Sequence, residues 1–295
     1  MKYSKIVLIH NSFSGQQSKR LSKEALLNLF SKEWQDRIIY RSTEKSDTYL
    51  TYVELIKKAQ PELVIAAGGD GTLNPVAKAC SELNMLMGII PFGSGNGLAR
   101  YLGFSMNAAL AVKELMMSSE VEIDTATVND AFFVCACGIG FDGLIAHKFA
   151  SNKKRGFLSY IKEGIIPLFT YSNANYIITF DGKELKRKAF LVCVANINQY
   201  GNDAFIAPDA NASDEQLNIV IVRSFSLLNG LFAFRRLFNK TIYQWNAIEH
   251  YKTNRVEINC DTKQCYHFDG EPACHERTFI IQTGGNKLRI LRATK

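Results

Sequence analysis

The sequence lacks the features that would place this protein in several large classes. No segment reaches the roughly 18 apolar residues of a transmembrane helix, and the first apolar run, Ile6–Ile9, is too short for a signal-peptide core. Only 6 of the 295 residues are proline and 47% are hydrophobic, which excludes a disordered or collagen-like chain. The seven cysteines are odd in number and include no C-x₂-C pair. We therefore expect reduced thiols in a cytoplasmic protein.

Positive charge is in excess and unevenly distributed. The formal net charge is +7, and residues 148–188 carry nine Lys and Arg against three Asp and Glu. Such a surplus can serve nucleic acid, anionic lipid or a phosphorylated substrate, or only solubility. The length of 295 residues predicts about two domains and a core that folds without disulfides or structural metals.

The first part of the chain alternates apolar strands with amphipathic helices. Ile6–Ile9, Leu63–Ala67 and Met87–Pro91 are short apolar runs, and Asn74-Pro75 predicts the start of a helix. This alternation is typical of a parallel sheet covered on both faces, whose ligands bind beyond the carboxyl ends of the strands. We therefore expect function in the loops that follow these strands.

From about residue 122 the pattern changes to antiparallel β structure. Asn129-Asp130 and Asp181-Gly182 each separate two strand-like runs and predict hairpin turns. Further strand candidates are Gln216–Val222, Arg255–Cys260, Cys265–Phe268 and Thr278–Gln282. The second half of the chain is thus predicted to be a mostly antiparallel β-sandwich.

Glycine-rich loops follow the predicted parallel strands. The segment 68–74 reads GGDGTLN, residues 91–100 read PFGSGNGLAR, and residues 11–15 read NSFSG. Glycines let backbone N–H groups approach a phosphate closely, and the N-terminus of a following helix adds positive charge. A carboxylate such as Asp70 among phosphates is favourable where it faces Mg²⁺ or a reacting hydroxyl. The chain contains no P-loop motif, so these loops together predict a different cradle for a nucleoside triphosphate.

These motifs resemble those of the lipid kinase family that includes diacylglycerol kinase catalytic domains, bacterial YegS-type kinases, and sphingosine and ceramide kinases. The resemblance covers nearly the whole chain. It is carried by the segments Asn11–Gly15, Gly68–Thr72, Pro91–Arg100, Gly138–Gly143 and Phe268–Glu271.

The resemblance implies a two-domain fold with the active site in the cleft between the domains. Residues 1–123, with 286–295 returning, would form a phosphofructokinase-like α/β domain that binds ATP. Residues 124–285 would form a β-sandwich domain for the lipid. The residues implied to hold ATP are Asn11, Ser14, Gly15, Thr43, Gly68, Gly69, Asp70, Gly71, Thr72, Asn74, Ser94 and Asn96.

The resemblance also implies catalytic and metal-binding roles. Asp70 would act through Mg²⁺ on the phosphates, and Asp269 or Glu271 would be the general base for the lipid hydroxyl. Bacterial members carry a structural Mg²⁺ near a D-G-x-L-D segment, which here reads Asp214-Glu215-Gln216-Leu217-Asn218. Asp214 and the carbonyls of Asn211 and Gln216 would hold this second ion. Glu215 and Asn218 depart from the family pattern.

The choice of lipid stays open at the sequence level. Gly97 replaces the Asp of the diacylglycerol kinase pattern, and Gly93-Ser94-Gly95-Asn96 is closer to sphingosine and ceramide kinases. The resemblance thus leads us to expect a diacylglycerol, a sphingoid base, a ceramide or another long-chain alcohol as the acceptor. No recognised motif supports a nucleic-acid partner, and the basic residues are interrupted by apolar ones. A homodimer is one option for the assembly.

A lipid substrate requires contact with a membrane surface. The basic residues within 148–188 and the amphipathic segment Phe225–Lys240 are candidates for peripheral membrane contact. The alternative for Phe225–Lys240 is a helix that covers the protein's own core.

Three other functions compete with a lipid kinase. An NAD kinase shares the GGDGT motif, but the Asn-Glu pair of its substrate site is not found in the expected region. A non-catalytic sensor would not need the carboxylates of Asp70, Asp269 and Glu271, which are all present. A zinc site is the third alternative, because ligand residue types fall within one short span, at Cys260, Cys265, His267, Cys274 and His275. Their alternating strand positions favour packed thiols instead.

Overall fold

The computed structural model of the chain describes residues 3–14, 20–151 and 171–294. The described chain forms two compact units, Met1–Ile123 with Asn286–Lys295, and Asp124–Gly285. Among the described residues, no helix is both long enough and apolar enough to cross a membrane.

The strands of the described chain are numbered β1 to β15 from the N-terminus. They are β1 Ile6–His10, β2 Ile38–Ser42, β3 Leu63–Gly68, β4 Met87–Pro91, β5 Ser119–Ile123, β6 Ala126–Val128, β7 Ala131–Phe133, β8 Ala136–Gly140, β9 Ala174–Phe180, β10 Lys183–Ala195, β11 Leu217–Arg223, β12 Ile248–Thr253, β13 Arg255–Phe268, β14 Glu271–Thr283 and β15 Leu288–Arg292. The helices are α1 Lys23–Leu27, α2 Lys32–Gln35, α3 Tyr49–Ala59, α4 Asp70–Glu82, α5 Gly97–Tyr101, α6 Ala108–Met117, α7 Phe141–Ser151 and α8 Leu227–Phe238, and a 3₁₀ turn spans Ile242–Gln244.

The first unit is built on a six-stranded sheet in the order β2-β1-β3-β4-β15-β5. Strands β1 to β4 and β15 pair in parallel, whereas β5 pairs with β15 antiparallel. Every residue of β1, β3 and β4 is buried, as expected for apolar parallel strands covered on both faces. This α/β unit confirms the parallel half of the predicted fold class.

Helix α4 begins earlier than its sequence predicts. Asn74-Pro75 predicts the helix start, but α4 runs from Asp70 with Pro75 inside it. The Gly69 carbonyl accepts the N–H groups of Thr72 and Leu73 at 2.8 and 3.0 Å, which closes the first turn. The prediction of the start was therefore wrong, and the GDGT residues form a helical turn rather than a loop before it.

The second unit contains a nine-stranded antiparallel sheet, which confirms the mostly antiparallel half of the prediction. Its two long strands, β10 and β13, each pair with β9 over one part of their length and with β8 over another. This pairing folds the sheet over a core formed by residues of both parts, including Tyr176, Phe133 and Phe279.

The predicted hairpin turns are present in the second unit. Asn129 and Asp130 join β6 to β7, and Asp181 and Gly182 join β9 to β10. All four residues have positive φ, as the two-residue turns of twisted hairpins require. Asn, Asp and Gly tolerate this conformation better than other residues, which is why the sequence marked both turns.

Candidate active site

The glycine-rich loops of the first unit lie at one edge of its sheet. Strands β1, β3 and β4 are neighbours and run in parallel, so their carboxyl ends meet. Backbone hydrogen bonds continue past the strands, from Asn11 N to Ala67 O and from Phe92 N to Gly68 O, each 2.9 Å long. The structure therefore brings together the three segments that the sequence marked separately.

Side chains of the first loop contact the GGDGT turn directly. The Asn11 amide donates to the hydroxyl of Thr72 at 3.0 Å, and the backbone N–H of Gly69 donates to the hydroxyl of Ser14 at 3.3 Å. The N–H of Thr43, which follows β2, donates to the carbonyl of His10 at 2.9 Å. The first loop is thus bonded directly to the GGDGT turn, and Thr43 is bonded to the end of β1. Gly15 lies outside the described residues.

Asp70 and Asn96 join the second and third loops. The backbone N–H of Asn96 donates to Asp70 Oδ2 at 3.1 Å, and the Asn96 side chain donates to the Gly93 carbonyl at 2.8 Å. Asn96 is buried and has a φ of +53°, a conformation that Asn adopts more easily than most residues. Asp70 is the first residue of α4, where the helix dipole stabilises a carboxylate.

Two glycines allow these loops to touch backbone to backbone. A Cβ on Gly93 would lie 2.7 Å from the Cα of Gly69, closer than real Cβ atoms approach. Gly71 and Ser94 are exposed beside this contact, and Asn74 is half-buried. Backbone N–H groups, two hydroxyls and a carboxylate at the start of a helix are a donor set suited to phosphate groups and a hard cation.

In the second unit, Asp269 is held by the backbone of another segment. Its carboxylate accepts the N–H groups of Val134, Cys135 and Ala136 at 2.9, 2.7 and 3.2 Å, and its own N–H donates to the Ala136 carbonyl at 2.9 Å. Asp269 has a φ of +49° in the turn between β13 and β14. Asp269 thus anchors the turn formed by Asp269, Gly270 and Glu271, called here the D-G-E turn.

Glu271 has a different environment from Asp269. It is the first residue of β14, lies opposite Phe268 in the hairpin, and its side chain is exposed. An exposed carboxylate on an anchored turn is accessible to a substrate hydroxyl. The geometry thus separates the two candidates for a general base into one anchoring and one accessible carboxylate.

A buried polar network supports the same turn, and sequence reasoning missed it. The Tyr200 hydroxyl donates to Asp142 Oδ2 at 2.5 Å, and burial raises the pKa of this phenol well above its usual value. The Gly270 N–H donates to His267 Nδ1 at 3.3 Å, and His267 Nε2 lies 3.4 Å from Asp142 Oδ2. His267 therefore links the buried Asp142 to the D-G-E turn.

The glycines of the segment Gly138–Gly143 have a packing role. A side chain on Gly138 would collide with the Asp142 carboxylate and the His267 ring, and one on Gly143 would collide with the backbone of Cys265. Helix α7 packs closely against β13 for this reason. The Gly138–Gly143 motif was the only sequence signal for Asp142. Its partners, Tyr200 and His267, are distant in sequence.

The residues predicted to hold a structural Mg²⁺ make other contacts. Asp214 Oδ1 accepts the Gln216 N–H at 3.1 Å, and Asp214 Oδ2 lies 3.0 Å from the ammonium of Lys252. The Asn211 carbonyl accepts the Asp214 N–H at 3.3 Å. Within residues 3–14, 20–151 and 171–294, no three His, Cys, Asp or Glu side chains form a group that could hold a metal ion.

The cysteine-rich span forms a pair rather than a zinc cluster among the described side chains. Cys265 Sγ lies 2.9 Å from His275 Nε2, and burial raises the pKa of the Cys265 thiol. Cys260 is half-buried and packs against the core of the second unit, and the Cys274 side chain lies outside the described part.

The candidate membrane segment forms α8, which packs partly on its own unit. Leu237 and Phe225 pack against a buried cluster, as the alternative interpretation expected. Phe234 is nevertheless 45% exposed, beside the exposed Arg235. Of the basic residues within 148–188, the structure does not describe Lys153, Lys154, Arg155 and Lys162.

Comparisons with known proteins match both units. Residues 5–128 match the family model described as the diacylglycerol kinase catalytic domain. Residues 135–290 match the one described as the YegS C-terminal NAD kinase beta sandwich-like domain. These two matches divide most of the chain between them.

Individual relatives are similar over most of their length. A diacylglycerol kinase of Bacillus subtilis (strain 168) is 26% identical over 269 residues, covering 90% of this chain and 88% of the relative. A probable YegS-like lipid kinase of Klebsiella pneumoniae (strain 342) is 28% identical over 252 residues, covering 83% of each. The crystal structure of a putative diacylglycerol kinase from Bacillus anthracis str. Sterne superposes with a TM-score of 0.76 at 24% identity, covering 99% of this chain and 98% of that one. That likeness shows a shared fold.

Proposed function

Since the chain belongs to the lipid kinase family that combines a diacylglycerol kinase catalytic domain with a YegS-type C-terminal domain, we propose that it transfers the γ-phosphate of ATP to a lipid hydroxyl. The acceptor is a diacylglycerol, a sphingoid base or a related lipid. The observation that carries this proposal is the convergence of three loops at one sheet edge, with Asp70 bound to the backbone of Asn96. Kinase family membership implies the use of ATP.

The triphosphate binds to the loops of the first unit in this proposal. The residues that hold it are Asn11, Ser14, Gly15, Thr43, Gly68, Gly69, Asp70, Gly71, Thr72, Asn74, Ser94 and Asn96. Phosphoryl transfer depends mainly on positioning and on charge stabilisation, which N–H groups and hydroxyls at a helix N-terminus provide. The contact between Gly69 and Gly93 keeps side chains out of this cradle.

Asp70 is the side chain that would hold the Mg²⁺ of the nucleotide. A carboxylate oxygen is a preferred ligand of this ion, and the second loop positions Asp70 through the Asn96 N–H. When bound, Mg²⁺ neutralises charge that develops on the phosphates. The role of Asp70 is thus to fix the cation against the triphosphate.

Glu271 is the proposed general base. It accepts the proton of the lipid hydroxyl as the oxygen attacks the γ-phosphorus, the bond to the ADP oxygen breaks, and ADP leaves. Asp269 is less suited to this role because three backbone N–H groups already bind its carboxylate. We propose that Asp269 anchors the turn that carries Glu271.

The enzyme contacts the membrane peripherally in this proposal, as a cytoplasmic protein that meets its substrate at a bilayer surface. Support comes from the exposed Phe234 beside Arg235 on α8, since an aromatic side chain next to a cation suits the lipid interface. Sedimentation with anionic liposomes at low salt tests this contact, and absence of binding overturns it.

A kinase assay with several acceptors tests the reaction. Purified protein is incubated with [γ-³²P]ATP, Mg²⁺ and mixed micelles that each contain diacylglycerol, sphingosine or ceramide, and NAD serves as a soluble acceptor. We expect label in one lipid class and none in NAD. The Asp70→Asn variant, purified in parallel, excludes activity from a contaminating kinase.

The outcomes distinguish the competing functions. Label in NAD alone identifies an NAD kinase, for which the shared GGDGT motif would account. Absence of transfer to every acceptor, together with saturable ATP binding, indicates a non-catalytic sensor. Either result overturns the proposed function.

A further inference from the structure

Lys252 lies beside the carboxylate of Asp214, the residue at which the family pattern implies a structural magnesium ion. Lys252 lies opposite Asn218 in the pairing of β11 with β12, and its ammonium is 3.0 Å from Asp214 Oδ2. The side chains of Asp214 and Lys252 are 27% and 45% exposed, so water screens this pair only in part. We propose that the Lys252 ammonium replaces the structural cation and makes the second unit independent of a divalent metal at this turn.

The donor set of the turn does not fit Mg²⁺. This ion prefers several oxygen ligands, carboxylates foremost, in octahedral geometry. The second carboxylate of the family segment is here Asn218, which is buried and whose amide donates to the Ala195 carbonyl at 3.5 Å. One Asp214 oxygen accepts the Gln216 N–H and the other faces an ammonium. Asp214 is thus the only carboxylate left of the two in the family segment, and the neighbouring Asp124 carboxylate already accepts the Glu215 N–H at 2.7 Å. A divalent ion would have to displace the Lys252 ammonium from Asp214.

The backbone of the turn is held by other groups. The Asn211 side-chain oxygen accepts the Ser213 N–H at 3.2 Å. The N–H of Glu215, which replaces the family glycine, donates to Asp124 Oδ2 at 2.7 Å. These hydrogen bonds and the ion pair between Asp214 and Lys252 hold the turn before β11, which a coordinated metal ion would otherwise hold. The replacement is therefore built from residues on two neighbouring strands and one turn.

Thermal unfolding of the full chain without nucleotide tests the proposal. Wild-type protein is unfolded with EDTA or with increasing MgCl₂, and NaCl of equal ionic strength is the control. We expect the midpoint of wild type to be the same with Mg²⁺ as with NaCl. In the double variant Asn218→Asp/Lys252→Ser, which restores the second carboxylate and removes the ammonium, we expect the midpoint to rise with the logarithm of the Mg²⁺ concentration.

Two further variants make the result decisive. Lys183→Ser removes an exposed lysine from another strand of the same unit, and it should behave as wild type with Mg²⁺. Asp214→Asn shows whether any effect of Mg²⁺ on the wild-type midpoint arises at this turn. A Mg²⁺-dependent rise in the wild-type midpoint that disappears in Asp214→Asn overturns the proposal, whether or not the double variant folds. These readouts need no lipid and no kinase activity, so they are independent of the proposed function.

Discussion

The carboxylate of Asp70 binds the backbone N–H of Asn96 at 3.1 Å, and so connects the loops that follow two neighbouring strands. Asp70 begins α4 and Asn96 precedes α5, so the contact also joins the starts of two helices. A shift of either loop would move the carboxylate relative to the N–H groups around it. The arrangement of these loops is thus held by polar contacts between them rather than by either loop alone.

Replacement of Asp70 by Asn should abolish catalysis and preserve the fold. The amide oxygen can still accept the Asn96 N–H, but the negative charge for a cation is lost. We expect turnover to fall at least about 10²-fold, as for the loss of one key electrostatic group in other enzymes. Asp36→Asn, which alters an exposed Asp beside Lys32, is the matched control. Near-normal turnover of Asp70→Asn in the labelled-ATP assay would show that this carboxylate is dispensable.

Replacement of Gly93 by Ala should disturb the contact between the two glycine loops. The new Cβ would lie 2.7 Å from the Cα of Gly69, so one backbone must move, at a cost of about 1–3 kcal/mol. We expect a lower melting temperature and a higher KM for ATP. Gly285→Ala is the control, because no neighbouring atom lies within 4 Å of a Cβ there. Equal effects of the two substitutions would refute a special role for Gly93.

Substitutions of Asp269 and Glu271 should separate anchoring from catalysis. Asp269→Ala leaves three backbone N–H groups without their acceptor, so we expect a loss of about 1–3 kcal/mol or more in the free energy of unfolding. Glu271→Gln should change stability by less than about 0.5 kcal/mol but lower turnover about 10²–10⁴-fold. Chemical denaturation and kinase assays on both variants measure this difference. A stable, inactive Asp269→Ala protein would reverse the two roles.

Stability should fall as the pH drops through the range in which an unfolded histidine takes up a proton. Burial lowers the pKa of His10 below 6.5, so near that pH the unfolded chain binds more protons at this residue than the folded chain does. The free energy of unfolding should therefore rise from about pH 5.5 to about pH 7.5. His10→Gln, which cannot titrate, should flatten this dependence, as denaturation midpoints at several pH values would reveal. An unchanged slope in the variant would contradict the assignment.

Glycine at residue 215 should relieve backbone strain. Glu215 has a φ of +58°, a region that costs other residues about 1–2 kcal/mol relative to glycine, partly offset by the greater freedom of glycine in the unfolded chain. We expect Glu215→Gly to be more stable than Glu215→Ala by about 0.5–1 kcal/mol. The alanine variant is the control because it also loses the carboxylate but keeps the Cβ. Denaturation of both proteins measures the difference, and a more stable alanine variant would be the contrary result.

Local sequence patterns predicted the strands and turns of this fold well, for physical reasons. The runs Leu63–Ala67 and Met87–Pro91 are apolar throughout because both faces of their sheet are covered. Asn129-Asp130 and Asp181-Gly182 mark hairpins because few residues tolerate positive φ. The start of α4 was missed because the preference of Pro75 for a helix start is weak beside the turn closed by the Gly69 carbonyl.

The contacts that define the candidate site are not visible in local patterns. Asp269 and its partner Val134 are 135 residues apart, and Lys252 and Asp214 are 38 apart. The sequence does not predict which residues form such pairs, because many carboxylates could bind many N–H groups or cations of the chain. The family resemblance supplied the candidate residues of the site, whereas the proposed separation of roles between Asp269 and Glu271 rests only on the geometry.

Strand β15 lies between β4 and β5, so the sheet of the first unit can be completed only after β15 has been synthesised. Arg289 of β15 and Glu120 of β5 form an ion pair across 169 residues of sequence. A ribosome therefore exposes β5 and the edge of β4 long before their common partner, and all of residues 124–285 emerges in the interval. The first unit therefore cannot complete its sheet until the second unit has been synthesised, and until then the edges of β4 and β5 lack their common partner.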